Sequence, residues 1–155
     1  MSMKLNSNIS FNFDSKKVLV VGGSKGIGKE VCKQFLNSGA EVYCASRSLC
    51  DLSGVKNIKC DISQSSDIDH LFTKVKQLDY CINVAGTNLC EKIDNIDEEE
   101  WERVITVNLK SFYQVCKRVV EIMKVGKGGR IVNVSSIAGR SKSPVSGVHY
   151  TSSKY

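Results

Sequence analysis

The sequence has little of what punctuates, cross-links or anchors a chain. It holds a single proline in 155 residues, so helices and strands of ordinary length meet few breaks. No run approaches the roughly 18 apolar residues of a membrane span. The first ten residues, MSMKLNSNIS, lack the apolar core of a secretory signal. A cytoplasmic protein with no membrane partner is expected. Histidine occurs only at His70 and His149, neither beside a cysteine pair, and the seven cysteines (32, 44, 50, 60, 81, 90, 116) contain no Cys-x-x-Cys. A zinc site is therefore not expected. Cys44, Cys60 and Cys81 fall in apolar runs, where a reduced thiol behaves as a small hydrophobe. The net charge is +6, but the lysines are scattered, with no arginine-rich run and no interleaved aromatics. Nucleic acid is not an expected partner; a small anionic ligand needs only a few of these charges.

What the chain does have is Val18–Gly28, reading VLVVGGSKGIG. A β-branched apolar run predicts a buried strand, glycines follow at Gly22, Gly26 and Gly28, and Ile27, Val31 and Phe35 then repeat at helical spacing. Strand, glycine turn and helix N-terminus in that order make a dinucleotide site, because free N–H groups face the ligand and no side chain bars the pyrophosphate.

The rest reads as strands alternating with helices in one domain, residues 1–155. Residues 1–15 form a polar lead-in whose Phe11 and Phe13 can pack beneath the first strand. Strands are expected at Val18–Gly22, Glu41–Ala45, Asn57–Cys60, Leu78–Val84 and Arg130–Val134. Helices are expected at Gly26–Asn37 and Ser65–Lys76, then as one long helix from the acidic run Asp97–Glu100 to Met123. That helix carries Trp101, Val104, Ile105, Phe112, Val115, Cys116 and Val119 as its apolar stripe. Ser46–Val55 shows no helical period, Ser141–Val148 reads as loop, and His149–Tyr155 begins a further helix. This is an α/β pattern: a doubly wound parallel sheet with its ligand crevice at the carboxyl ends of the strands.

Chemistry-bearing residues follow the strand ends. After the second strand comes Ala45-Ser46-Arg47, with no acid before Asp51. An acid there would accept from the free 2′-hydroxyl of NAD. Arg47 and Lys25 can instead clamp a 2′-phosphate, with Ser46 and Ser24 adding hydroxyls; NADP(H) is expected over NAD(H). Asp61 and Ile62 follow the third strand, where Asp61 can also serve as a turn acid. Asn83-Val84-Ala85-Gly86 ends the fourth. Ser135 and Ser136 lie just beyond the fifth, Asn108 is a polar residue within the long helix, and Tyr150 and Lys154 share one helix face at i,i+4 spacing.

The widened spacing Gly22-x-x-x-Gly26-x-Gly28, the Asn-Val-Ala-Gly segment, the serine pair and Tyr150-x-x-x-Lys154 together resemble the short-chain dehydrogenase/reductase family. The resemblance runs from about Lys16 to Lys154 and is similar to 3-oxoacyl-ACP reductase-like members. It implies a Rossmann-type sheet, an NADP(H) cofactor, and hydride transfer to or from a carbonyl or alcohol. It implies cofactor contacts at Gly22, Ser24, Lys25, Gly26, Ile27, Gly28, Ser46, Arg47, Asp61, Ile62, Asn83, Ala85 and Gly86, with Tyr150 and Lys154 shared with catalysis. It selects Ser136 over Ser135 to orient a carbonyl, Tyr150 as acid, and Lys154 with Asn108 as a proton relay. Lysine and oxidised nicotinamide would lower the phenol from its ordinary range near ~10.

Val21 stands where the family commonly has threonine, and Val84 where it has a second asparagine. Members usually continue well past the Tyr-x-x-x-Lys segment and are usually homo-oligomers, so a C-terminally truncated member with part of its oligomer interface missing is expected. A terminal helix of about two turns is marginal in water, which would leave Tyr150 and Lys154 on a fraying end. Three readings stand: a reductase or dehydrogenase acting on a 3-oxoacyl thioester, or on a sugar or polyol carbonyl; a nucleotide-holding module without turnover; and an inactive fragment.

Overall fold

Four consecutive side chains, Val18, Leu19, Val20 and Val21, are fully buried, and the domain is layered around them. The computed structural model describes residues 10–141, 143 and 145–155; the first nine residues of the expected lead-in lie outside these. In chain order the elements are β1 (Lys17–Val21), α1 (Gly26–Asn37), β2 (Glu41–Ser46), β3 (Lys56–Lys59), α2 (Ser65–Lys74) and β4 (Tyr80–Asn83). Then come α3 (Glu98–Ile105), α4 (Ser111–Val125), β5 (Arg130–Asn133) and α5 (Val148–Lys154). The five strands form one parallel sheet in the order β3-β2-β1-β4-β5.

The period of two along β1 divides its side chains between two layers. Val18 and Val20 face α1, packing with Cys32, Val42, Cys44 and Ile82. Leu19 and Val21 face α2 and α4, packing with Ile68, Leu71, Val115 and Val119. Each such side chain contributes about 1.5–3 kcal/mol on burial, which is why β1 holds the centre. Val18 lies opposite Val42 of β2 on one side and Tyr80 of β4 on the other. The chain reverses its direction of sheet-building between these neighbours, and a crevice opens there.

The segment between β2 and β3 carries no helix. The Asn57 side chain clamps it, accepting from the Cys50 N–H (2.7 Å) and donating to the Cys50 carbonyl (2.9 Å). Phe13 packs under the sheet edge-on to Phe35 and Tyr80, at centroid distances of 4.9 and 5.4 Å. Phe11 does not; it is mostly exposed, because that pocket of aromatic edges is already filled by Phe13.

The expected long helix is not continuous. A π-helical turn, Thr106–Lys110, separates α3 from α4. The Ser111 N–H bonds the carbonyl of Thr106, five residues back, while Ser111 Oγ donates to the Val107 carbonyl (2.6 Å). Hydroxyl back-bonding of this kind competes with the i→i−4 ladder, and wide turns of this type recur at functional positions. Trp101 is also not core; over a third of it is exposed.

Candidate active site

Glycine turn, strand ends and α3 enclose a cleft of about 730 Å³ at the carboxyl end of the sheet. Gly22 adopts φ +90°, and a Cβ there would stand 2.7 Å from the backbone of Ala85. A side chain would thus force β1 and β4 apart at the mouth. Gly28 lets α1 lie on the turn, since its Cβ would meet the Gly22 carbonyl oxygen at 2.2 Å. Around Gly26 nothing lies within 4 Å of a Cβ position, so this face is open. The first turn of α1 has no side-chain cap and no acidic residue. Its free N–H groups and positive dipole end point into the cleft, the arrangement that receives a phosphate.

Most of the expected cofactor residues line this cleft: Gly22, Ser24, Lys25, Gly26, Ile27, Gly28, Ser46, Arg47, Asp61, Ile62, Ala85 and Gly86. Ser48 Oγ donates to Ser24 Oγ (3.0 Å) and Ser46 Oγ to the Ser48 carbonyl (2.6 Å), tying the glycine turn to the end of β2. Lys25 and Arg47 are exposed and, among the described residues, neither forms an ion pair. Asp51, the first acid after β2, is engaged by Lys29 at 2.6 Å. Burial pushes the Asp61 carboxyl up, but the N–H and Oγ–H of Ser63 (3.0 and 2.8 Å), with the Arg47 charge, outweigh it and hold the group below its ordinary value.

Asn83 is placed differently. Its side chain is fully buried, donating to Asn133 Oδ1 at 2.6 Å and to Cys116 Sγ at 3.5 Å. It points between the sheet and α4, so it joins β4 to β5 instead of lining the cleft. Alternation along β4 sends that side chain to the α4 face.

At the other end of the cleft, Gly86 lies between two of the expected catalytic residues. A Cβ on it would be 3.3 Å from Asn108 Oδ1 and 3.4 Å from Lys154 Nζ. Asn108 is buried; it accepts from the Thr87 N–H (2.8 Å) and donates to the Thr87 carbonyl and Ser153 Oγ (both 2.9 Å). Lys154 Nζ lies 5.2 Å from the Phe112 ring centre, 5.9 Å from that of Tyr150, and 3.3 Å from the Val134 carbonyl. Burial pushes its ammonium below the ordinary lysine value. The two serines are used differently. Ser135 Oγ donates to the Lys154 carbonyl (2.5 Å), whereas Ser136 Oγ accepts from the Ala138 N–H (3.2 Å), capping a 3-10 turn at Ile137–Gly139.

The expectation of a fraying terminal helix is not met. His149, Ser153 and Lys154 are all buried, because α5 docks on α3, the π turn and the 3-10 turn. Gly139 allows the closest approach, its Cβ position lying 2.1 Å from the Lys154 carbonyl oxygen. The sequence reading gave no site role to Thr87, Phe112, Ser153, Arg103 or the pair Glu100–His149, and it set Ser135 aside in favour of Ser136. Of these, only the histidine beside Tyr150-x-x-x-Lys154 carried any local signal.

Comparison with known proteins agrees with this geometry. The family model for short chain dehydrogenases matches residues 16–155. A 3beta-hydroxysteroid dehydrogenase of Mediterraneibacter gnavus is 31% identical, over 99% of this chain and 60% of its own length. The 3-oxoacyl-[acyl-carrier-protein] reductase FabG of Chlamydia trachomatis is 32% identical, over 84% of this chain and 59% of its own. A short chain dehydrogenase from Leptospira borgpetersenii, solved with bound NAD+, superposes with a TM-score of 0.87 at 28% identity, covering 92% of this chain and 61% of that one. The chain thus spans about 60% of the length of the curated relatives it matches. With its glycine turn, its parallel sheet and its Tyr150-x-x-x-Lys154 helix in matching order, this chain belongs to the short-chain dehydrogenase family.

Proposed function

We propose that the chain carries the nucleotide site and proton-transfer residues of an NADPH-dependent oxidoreductase acting on a carbonyl or alcohol carbon. One observation carries the cofactor preference. The end of β2 offers an exposed Arg47, with Lys25 across the turn, while the first acid, Asp51, is occupied by Lys29. A 2′-phosphate finds cations and hydroxyls there, and a free 2′-hydroxyl finds no unpaired carboxylate to accept from it. The nucleotide fits the open face at Gly26 and the uncapped start of α1. The turn Gly22–Gly28 would hold the pyrophosphate, Lys25, Ser46 and Arg47 the 2′-phosphate, Asp61 and Ile62 the adenine, and Ala85 and Gly86 the strand-end face. When bound, the nicotinamide supplies the hydride chemistry.

In this reading Tyr150 donates the proton to the carbonyl oxygen, and Ser136 orients that oxygen. The Lys154 ammonium favours the phenolate once the proton has left, while Asn108 holds the relay end against Thr87 and Ser153. The substrate is a 3-oxoacyl thioester, the class named for the FabG relative. The setting is the cytoplasm and the working form a homo-oligomer.

The test is NADPH and NADH fluorescence titration of the chain, with carbonyl-dependent NADPH oxidation on an acetoacetyl thioester and on an aldose, and Tyr150→Phe as control. Tighter NADPH binding, and thioester-dependent turnover lost in Tyr150→Phe, are expected. Turnover that survives Tyr150→Phe, or equal NADH affinity, overturns the proposal. Binding without turnover assigns a nucleotide-holding module instead.

A further inference from the structure

The helix that carries Tyr150 and Lys154 starts with little local support. Its N-cap is Gly147 with no capping side chain, and its first turn contains no acid. Its far end is pinned from outside, by the Asn108 amide on Ser153 Oγ and by Ser135 Oγ on the Lys154 carbonyl. At its near end the Gly147 N–H reaches the Leu89 carbonyl at 3.3 Å and the Cys90 thiol reaches the Val145 carbonyl before the helix starts; within the first turn, the side-chain anchor described is His149.

That histidine is fully buried. Its Nε2 lies 2.8 Å from Glu100 Oε1. The Trp101 indole stacks on the imidazole, 6.5 Å between centres and 20° between planes. Gly147 presses on the opposite edge, where a Cβ would stand 2.3 Å from His149 Cε1. Nδ1 has no partner among the described residues, so the contact with Glu100 is the ring's one polar attachment. Two successive residues of α3 thus grip one residue of α5, and the next residue is Tyr150.

We propose that His149 is a positioning residue: clamped by Glu100 and Trp101, it fixes the start of α5 and with it the placement of Tyr150 beside Lys154. The functional part rests on reading those two as the proton-transfer pair; the clamp itself does not. Without it, the near end of α5 lifts from α3, and the tyrosine ring and lysine ammonium lose their fixed separation. The Lys154 side chain then gains water.

The experiment is a 13C NMR titration of the Lys154 ε-carbon, assigned by its absence in Lys154→Arg, in the parent chain and in His149→Ala, Glu100→Ala and His149→Gln. The parent midpoint is expected below the ordinary lysine range. It should move up towards that range in His149→Ala and Glu100→Ala, and be held in His149→Gln, which keeps an amide N–H near Glu100. In turnover, His149→Ala should lower kcat roughly tenfold at unchanged KM for NADPH, since near-attack geometry is what it loses. A folded His149→Ala with the parent's Lys154 midpoint overturns the inference. If that variant does not fold, Glu100→Ala, altered at a partly exposed carboxylate, decides by the same criterion. Absence of turnover in the parent chain overturns the proton-transfer reading, while the titration still decides the clamp.

Discussion

Asn108 and Ser153 meet across 45 residues of chain, the asparagine amide donating to the serine hydroxyl at 2.9 Å. The same amide closes a two-way pair with the Thr87 backbone. One buried side chain therefore joins the loop after β4, the π turn and α5. It is the one buried residue of that π turn.

Replacing Asn108 by leucine, of similar size, removes three hydrogen bonds, two to the part-buried Thr87 backbone and one to the Ser153 hydroxyl, which keeps its bond to the Tyr150 carbonyl. Each such bond contributes about 0.5–1.5 kcal/mol, so a loss of about 3 kcal/mol is expected. It should appear as a lower urea midpoint at unchanged slope. Asn108→Asp, which still accepts from the Thr87 N–H, should fall between leucine and the parent.

Arg47→Ala should weaken NADPH binding about tenfold, the worth of one charge-assisted contact, and leave NADH binding within twofold. Lys25→Ala should act in the same direction. Fluorescence titration with both nucleotides reads the difference, and an equal loss for both would remove Arg47 from the 2′-phosphate.

Two glycines of one turn should fail differently when changed to alanine. At Gly28 the added carbon meets the Gly22 carbonyl at 2.2 Å, so the fold pays, and a fall in melting temperature is expected with or without nucleotide. At Gly26 nothing stands within 4 Å. There the protein loses only about 1–2 kcal/mol for a side chain at φ +53°, while NADPH binding is blocked. A Gly26→Ala chain that binds NADPH as the parent does would contradict the pyrophosphate placement.

Lys154 makes stability depend on pH. Burial holds its folded value below the ordinary 10.5, so between the two the unfolded chain binds more protons than the folded one. Stability therefore rises with pH through that window, and the cost of burying the charge is present in full below it. Relative to Lys154→Met, the parent should gain stability as urea unfolding is followed from pH 7 to 10. Parallel profiles would show that the ammonium is not desolvated.

The sheet and its order of elements were readable because their signals are local and repeated. The β-branched run of β1 and the apolar period of α1 each specify an element without reference to the rest, and α1 has the bounds expected of it, Gly26–Asn37. Phe11 and Trp101 misled because an apolar residue at the right spacing does not reveal whether its niche is already filled. Phe13 had filled that of Phe11, and Trp101 lies against His149 of α5 outside the sheet's core. The π turn was invisible for a related reason. Its sequence, Thr106–Lys110, continues a helical pattern, and the groups that reward the irregularity, Thr87 and Ser153, lie far away in the chain.

The sequence alone determined the fold class, the glycine turn and the residue types that face a dinucleotide, since period, glycine spacing and charge act over a few residues. Only the tertiary structure decided that Asp51 pairs with Lys29, that Asn83 turns away from the cleft, and that α5 is docked with His149 inside it. Each of those outcomes depends on a partner from another element. A partner's distance is set by how the layers pack, which no stretch of sequence states by itself.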